Sequence, residues 1–180
     1  MVQRIGRILF LVLTCLFLVA LQQYLISSLP AGFRHLNLGL LVAIFYLFLF
    51  GLKPALRFIF VFGFLLDALS FYFFGLNVIA LFLAVIAAYL VLKDWLTNKS
   101  LYAFWASTLL ATAVYNLAAA LLVYASLGFP PGAGVLAADF WDSLLYQSAW
   151  NLGMGSAFFY LSLAFFKKLK PFFLENQKML

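Results

Sequence analysis

Acidic side chains are almost missing from this chain. Its 180 residues hold five Asp and Glu against eleven Lys and Arg, and charged residues make up 9% of the whole. An ordinary soluble domain is about 25% charged. Hydrophobic residues reach 68%. A water-soluble protein of this size could not hide so much apolar surface, so the composition predicts an all-α, polytopic membrane protein. Polar sequence is too scarce for a separate soluble domain, and residues 1–180 read as a single membrane domain. The one cysteine, Cys15, rules out an intrachain disulfide. With His35 the only histidine, metal ligands are too few for a site, and no cofactor is expected. The usual catalytic patterns are lacking too. There is no His-Glu-x-x-His, no pair of membrane aspartates and no Gly-rich phosphate loop. Ser, His and acid do not stand at matched depths, so the chain is not expected to be an enzyme.

What is present is a series of apolar runs. Residues 8–29, 36–52, 57–74, 76–92, 101–127 and 141–166 are predicted to form six transmembrane helices in a compact bundle. The first run follows Arg4 and Arg7 but is longer than a signal-peptide core of about 7–15 residues, and reads as a retained helix. Gly128-Phe-Pro-Pro-Gly-Ala-Gly134 breaks helix firmly before the last run. The bases then test the topology. With the N-terminus in the cytoplasm, every Lys and Arg except Arg34 falls on the cytoplasmic side. The net charge of +6 is thus a topology signal and not a nucleic-acid footprint, and both termini are expected inside. The 128–142 loop, with Asp139 and Asp142 and no base, is then on the outer face. Both acids read as loop and helix-start residues, and His35 reads as solvated.

The exceptional stretch is Gly63-Phe-Leu-Leu-Asp67-Ala-Leu-Ser70-Phe-Tyr-Phe-Phe-Gly75-Leu-Asn77. A carboxyl at mid-bilayer costs about 2.5–3.5 kcal/mol on insertion scales, so it rarely persists without a role. Gly63, Asp67 and Ser70 fall at i, i+4 and i+7, one face of a helix. That face should meet another helix, within the protein or in a partner. Gly75 and Asn77 should turn the chain into the next run. Counting about 1.5 Å per residue from Arg57 puts Asp67 about 15 Å deep, near the midplane. The same count puts Gln22, Asn116 and Asn151 together in the outer half of the bilayer. A polar layer is expected there, with Gln22 or Gln23, Asn116, Gln147 and Asn151 bonding between helices. Gly153 and Gly155 should let helices approach closely. Lys167, Lys168 and Lys170 read as a topology anchor, with anionic lipid or a cytoplasmic protein as the sharper alternative.

GFLLDALS, a short spacer and GLNVIAL resemble the central signature of the MreD family of rod shape-determining proteins. The resemblance extends to the basic start, Gln22 and Pro30 closing the first run, Ala88-Tyr89-Leu90, Asn116 midway along the fifth run, and a basic tail. This chain has Phe71 where the family usually has Gly, and it lacks the prolines that often open span two and interrupt span six, so it resembles a divergent member. The resemblance implies a non-enzymatic protein of the bacterial inner membrane, associated with a bitopic MreC-like protein and the cell-wall elongation machinery that regulates cell shape. It also implies a six-helix form similar to the substrate-binding components of energy-coupling-factor vitamin transporters. The alternative reading is therefore a small-molecule uptake component, with the outer polar layer and the 128–142 loop as its binding site.

Overall fold

A computed structural model of the chain describes residues 2–26, 28, 35–70, 73–94, 100–126 and 138–175. Six α-helices account for nearly all of them: α1 (Val2–Ala20), α2 (Leu38–Phe50), α3 (Leu52–Leu69), α4 (Leu76–Asp94), α5 (Leu101–Ser126) and α6 (Ala138–Glu175). A π-helical turn, Leu21–Ile26, extends α1. No strand occurs among the described residues.

Sequence chemistry explains where the helices break. Between α2 and α3 the reversal takes one residue. Gly51 has φ +84 and donates its N–H to the Leu47 carbonyl at 3.0 Å, a backbone conformation that costs glycine little. Lys53 and Pro54, which read as loop residues, lie instead in the first turn of α3. A first-turn residue has no intrahelical acceptor for its N–H, so proline loses nothing there. The third helix therefore runs over Leu52–Leu69 and not over 57–74. The last helix is longer at both ends than the expected 141–166, and α1 begins at Val2 and not at residue 8.

α4 packs against both α3 and α5, α3 against α1 and α2, and α5 against α6. The core is mostly aliphatic, with aromatic rings threaded through it. Tyr46, Phe58 and Phe62 stack with ring centres 5.3 and 5.4 Å apart. Phe48 meets Phe104 and Phe159 edge-on. Glycines let helices close on these rings. A Cβ on Gly39 would run into the Phe62 ring, and one on Gly155 would lie 2.8 Å from the Phe104 ring. Gly153 has nothing within 4 Å and opens no such approach.

Among the described residues, two helices are long and apolar enough to cross a membrane, Leu76–Lys93 and Leu101–Ser126. Leu9–Tyr24 and Leu38–Phe50 are apolar but shorter. Only 33% and 28% of the two long segments are buried. A core helix in a soluble protein would be mostly covered, whereas here large apolar side chains such as Phe10, Phe17, Phe60, Phe74 and Leu145 face outward. Large exposed apolar surfaces mark interaction with membrane or partner.

Candidate functional site: a carboxylate clasp in a buried polar layer

The N-cap position of α4 is Gly75, which has φ +100 and no side chain with which to cap. The first amides of a helix have no intrahelical acceptor and need one from elsewhere. Asp67, 3% exposed in the last turn of α3, supplies it. Its Oδ2 accepts from the backbone N–H of Gly75 at 3.1 Å and of Val78 at 3.2 Å. Its Oδ1 accepts from the backbone N–H and the side-chain amide of Asn77, both at 2.9 Å. Four donors thus occupy both oxygens. Both oxygens act as acceptors here, and they stand at the N-terminal, positive end of the α4 dipole.

Gly63 makes this reach possible. It lies one turn before Asp67, and a Cβ there would sit 2.9 Å from the Val78 Cα. The first turn of α4 therefore rests directly on the backbone of α3 at Gly63, which brings its amides within range of Asp67. Gly63, Asp67, Gly75, Asn77 and Val78 form one joint between two helices.

Ser70 does not share that face. The helix ends at Leu69, and the Ser70 hydroxyl turns back to the Asp67 carbonyl at 3.2 Å. It closes α3. The spacing i, i+7 holds only while the helix continues, and here it stops one residue short. The midplane placement of Asp67 also needs correction. Because α3 starts at Leu52, Asp67 stands near the far end of its helix.

The polar network continues from the clasp. Asn77 Oδ1 accepts from the Tyr115 hydroxyl at 3.1 Å, and Tyr115 also stands beside the Asn37 amide. Asn37 caps α2, accepting from the Leu40 N–H at 3.0 Å. Its own N–H donates to Asn151 Oδ1 at 3.3 Å. Asn151, fully buried on α6, donates to the Thr112 hydroxyl at 3.2 Å. Asn116 donates to Gln147 Oε1 at 2.6 Å and to the Thr112 carbonyl at 2.8 Å. Gln22, on the π turn, accepts from the Gly39 N–H at 3.2 Å. Asn116, Gln147 and Asn151 thus fall in one layer, and Gln22 joins it through α2 and not through the other amides. Asp67 belongs to this layer and not to a separate, deeper level. Among the described residues, no buried side-chain N or O lacks a partner.

Asn37, Asn77 and Tyr115 were not singled out by sequence reasoning as network members. Asn37 directly before an apolar run was a legible N-cap signal. Tyr115 carries no such signal within an apolar helix. His35 is half-buried and stacks on Tyr146, ring centres 5.6 Å apart, and is not fully solvated. Asp139 and Asp142 lie in the first turns of α6. No group of three or more His, Cys, Asp or Glu side chains occurs among the described residues. Compared with known proteins, the chain matches no family model, no curated protein and no solved structure.

Proposed function

We propose that this chain is a membrane-embedded scaffold of the MreD type, with six spans in a bacterial inner membrane and both termini in the cytoplasm. Its role would be to hold a bitopic MreC-like partner in the cell-wall elongation machinery and so regulate cell shape. The observation that carries this reading is the clasp. The Gly-x-x-x-Asp and Gly-Leu-Asn elements that give the sequence its MreD-like look are the residues that join α3 to the first turn of α4. Asp67 uses both oxygens on donors within the chain, Asn116 bonds to Gln147, and Asn151 bonds to the Thr112 hydroxyl. Polar groups arranged in this way hold helices in register, which suits a scaffold better than a site that must exchange its partners for substrate.

The six spans rest on the apolar runs, the outward-facing apolar side chains and the distribution of bases. The experiment is a crosslinked pull-down from native membranes with partners identified by mass spectrometry. Recovery of a single-span extracytoplasmic coiled-coil protein together with wall synthases is the expected result. Recovery of an ATPase pair with a coupling membrane subunit would overturn it in favour of solute uptake.

A further inference from the structure

The α5–α6 pair fixes levels through the bundle. The two helices run antiparallel, with Asn116 beside Gln147, Thr112 beside Asn151, and the Trp105 indole donating to the Ser156 hydroxyl at 2.9 Å. Continuing that register puts Tyr102 level with Tyr160, and both are exposed. Amphipathic rings favour the membrane boundary. Trp141, also exposed, lies farther along α6, about 28 Å from Tyr160. A hydrocarbon core is about 30 Å thick. These rings therefore mark a near face, at Tyr102 and Tyr160, and a far face, at Trp141.

The other helices stop short of the far face. Asn37, just before α2, donates its N–H to Asn151, and the α3–α4 joint bonds to Tyr115 through Asn77. Gln22, on the π turn after α1, accepts from Gly39. The ends of α1 and α3 and the starts of α2 and α4 therefore lie near the level of Asn151 and Gln147. Trp141 stands about 9 Å beyond Gln147, and α5 runs about 16 Å past Tyr115 to Ser126. Surface chemistry differs between the two sides at this level. Beyond it, α5 and α6 still expose Leu117, Leu121 and Leu145. On α1 the exposed residues from Leu9 to Phe17 are all apolar, but the exposed residues Gln23, Tyr24 and Ser28 are polar. The apolar wall Leu9–Tyr24 is only about 24 Å long. One side of the molecule thus suits hydrocarbon at a level where the other suits water.

We propose that α1 contacts a locally thinned bilayer, in which the phospholipid headgroups of the far face are drawn down to Tyr24, while α5 and α6 meet them at Trp141. The inference rests on the membrane reading above and adds the shape of the lipid surface around the molecule. A bilayer accommodates an apolar wall shorter than its core by thinning against it. Lipid, and not a second helix, is the occupant of this face. Its exposed side chains, Leu9, Phe10, Leu13, Leu16 and Phe17, are all large. Helix contacts within membranes instead favour small residues that permit close approach and polar residues that bond across.

The test is spin-label depth measurement on the full chain in dioleoylphosphatidylcholine vesicles. A nitroxide is placed singly on Leu9→Cys, Leu13→Cys, Tyr24→Cys or Trp141→Cys, all exposed positions. Cys15 is buried, and each label is made both with Cys15 kept and with Cys15→Ala. Oxygen concentrates in hydrocarbon and a nickel chelate in water, so their relative effects on the label read its depth. The Tyr24→Cys and Trp141→Cys labels should lie at equal depth to within about 3 Å, two residues of helix rise. A Tyr24→Cys label about 9 Å deeper than the Trp141→Cys label means a flat bilayer and overturns the proposal. Tilting of the whole bundle would level these two labels as well, but it would carry Leu9, about 19 Å from Gln22 and so at the near face, into the core. A deep Leu9→Cys label therefore overturns the proposal too. So does a Leu13→Cys label shielded from both agents, which marks a second protein on α1. The Leu13→Cys label should be rich in oxygen contact. If it is as open to nickel as a label in water, the membrane reading itself is contradicted, whereas an oxygen-rich Leu13→Cys label with Tyr24→Cys deeper than Trp141→Cys contradicts this proposal alone.

Discussion

Asp67 Oδ1 and Asn77 are joined twice, through the Asn77 backbone N–H and through its side-chain amide, each at 2.9 Å. One residue of α4 thereby reads the position of α3 in two directions. The same Asn77 accepts from Tyr115 on α5, so three helices meet at two side chains.

Replacing Asp67 by Leu leaves several amides at the start of α4 without an acceptor. The expected loss is about 3 kcal/mol or more, since each buried donor left unpaired costs about 1–3 kcal/mol. Asp67→Asn keeps one carbonyl oxygen but turns an NH2 toward two N–H groups, and should lose roughly half as much. Thermal unfolding in mild detergent should rank unaltered, Asn and Leu in that order of falling stability. Equal behaviour of the two variants would remove the acceptor role from the account.

Gly63→Ala should destabilise by about 1–3 kcal/mol, the usual range for overpacking. The added methyl meets backbone at Val78, which cannot rotate away as a side-chain tip could. Gly153→Ala is the internal comparison. Open space surrounds that position, and alanine favours helix by up to about 1 kcal/mol. Its midpoint should hold or rise, and a fall matching that of Gly63→Ala would argue against close α3–α4 contact.

Tyr115→Phe removes the donor to Asn77 while keeping the ring. A loss of about 1 kcal/mol is expected, with Asn77 left anchored to Asp67. Amide exchange should then quicken little at the start of α4. Large exchange changes there would mean that Tyr115 supports the clasp itself.

Asn116 and Gln147 suit a double-mutant cycle to alanine. Hydrogen bonds between membrane helices average about 0.6 kcal/mol of coupling. At 2.6 Å this pair should reach at least that value, and additive single variants would show that the contact does not hold α5 to α6.

The helical class and the weight of Asp67 were legible because apolar runs and a lone buried acid are strong signals. Gly63 and Asp67 share a face because an i, i+4 pair tolerates any choice of helix start. Ser70 was misread for the opposite reason, since its role depends on where α3 stops. That end was misplaced because the apolar run continues through Phe74, and the start because Lys53-Pro54 looks like a loop, although proline fits the first turn of a helix as well. Depth followed from the same error, as a helix start moved by five residues shifts every depth counted from it by about 7 Å. The capping role of Asp67 was hidden because Gly75, the local N-cap, has no side chain, and the acceptor arrives from a residue eight positions upstream.

The most direct test follows the backbone amides of Gly75, Asn77 and Val78 by hydrogen–deuterium exchange in the full chain, unaltered and as Asp67→Leu. If Asp67 ties α3 to the first turn of α4, these amides are protected in the unaltered chain. They should exchange at least tenfold faster in the variant, corresponding to about 1.4 kcal/mol of lost local protection, while amides in the middle of α5 keep their rates. Rapid exchange at these positions in the unaltered chain, or unchanged protection in Asp67→Leu, would contradict the account.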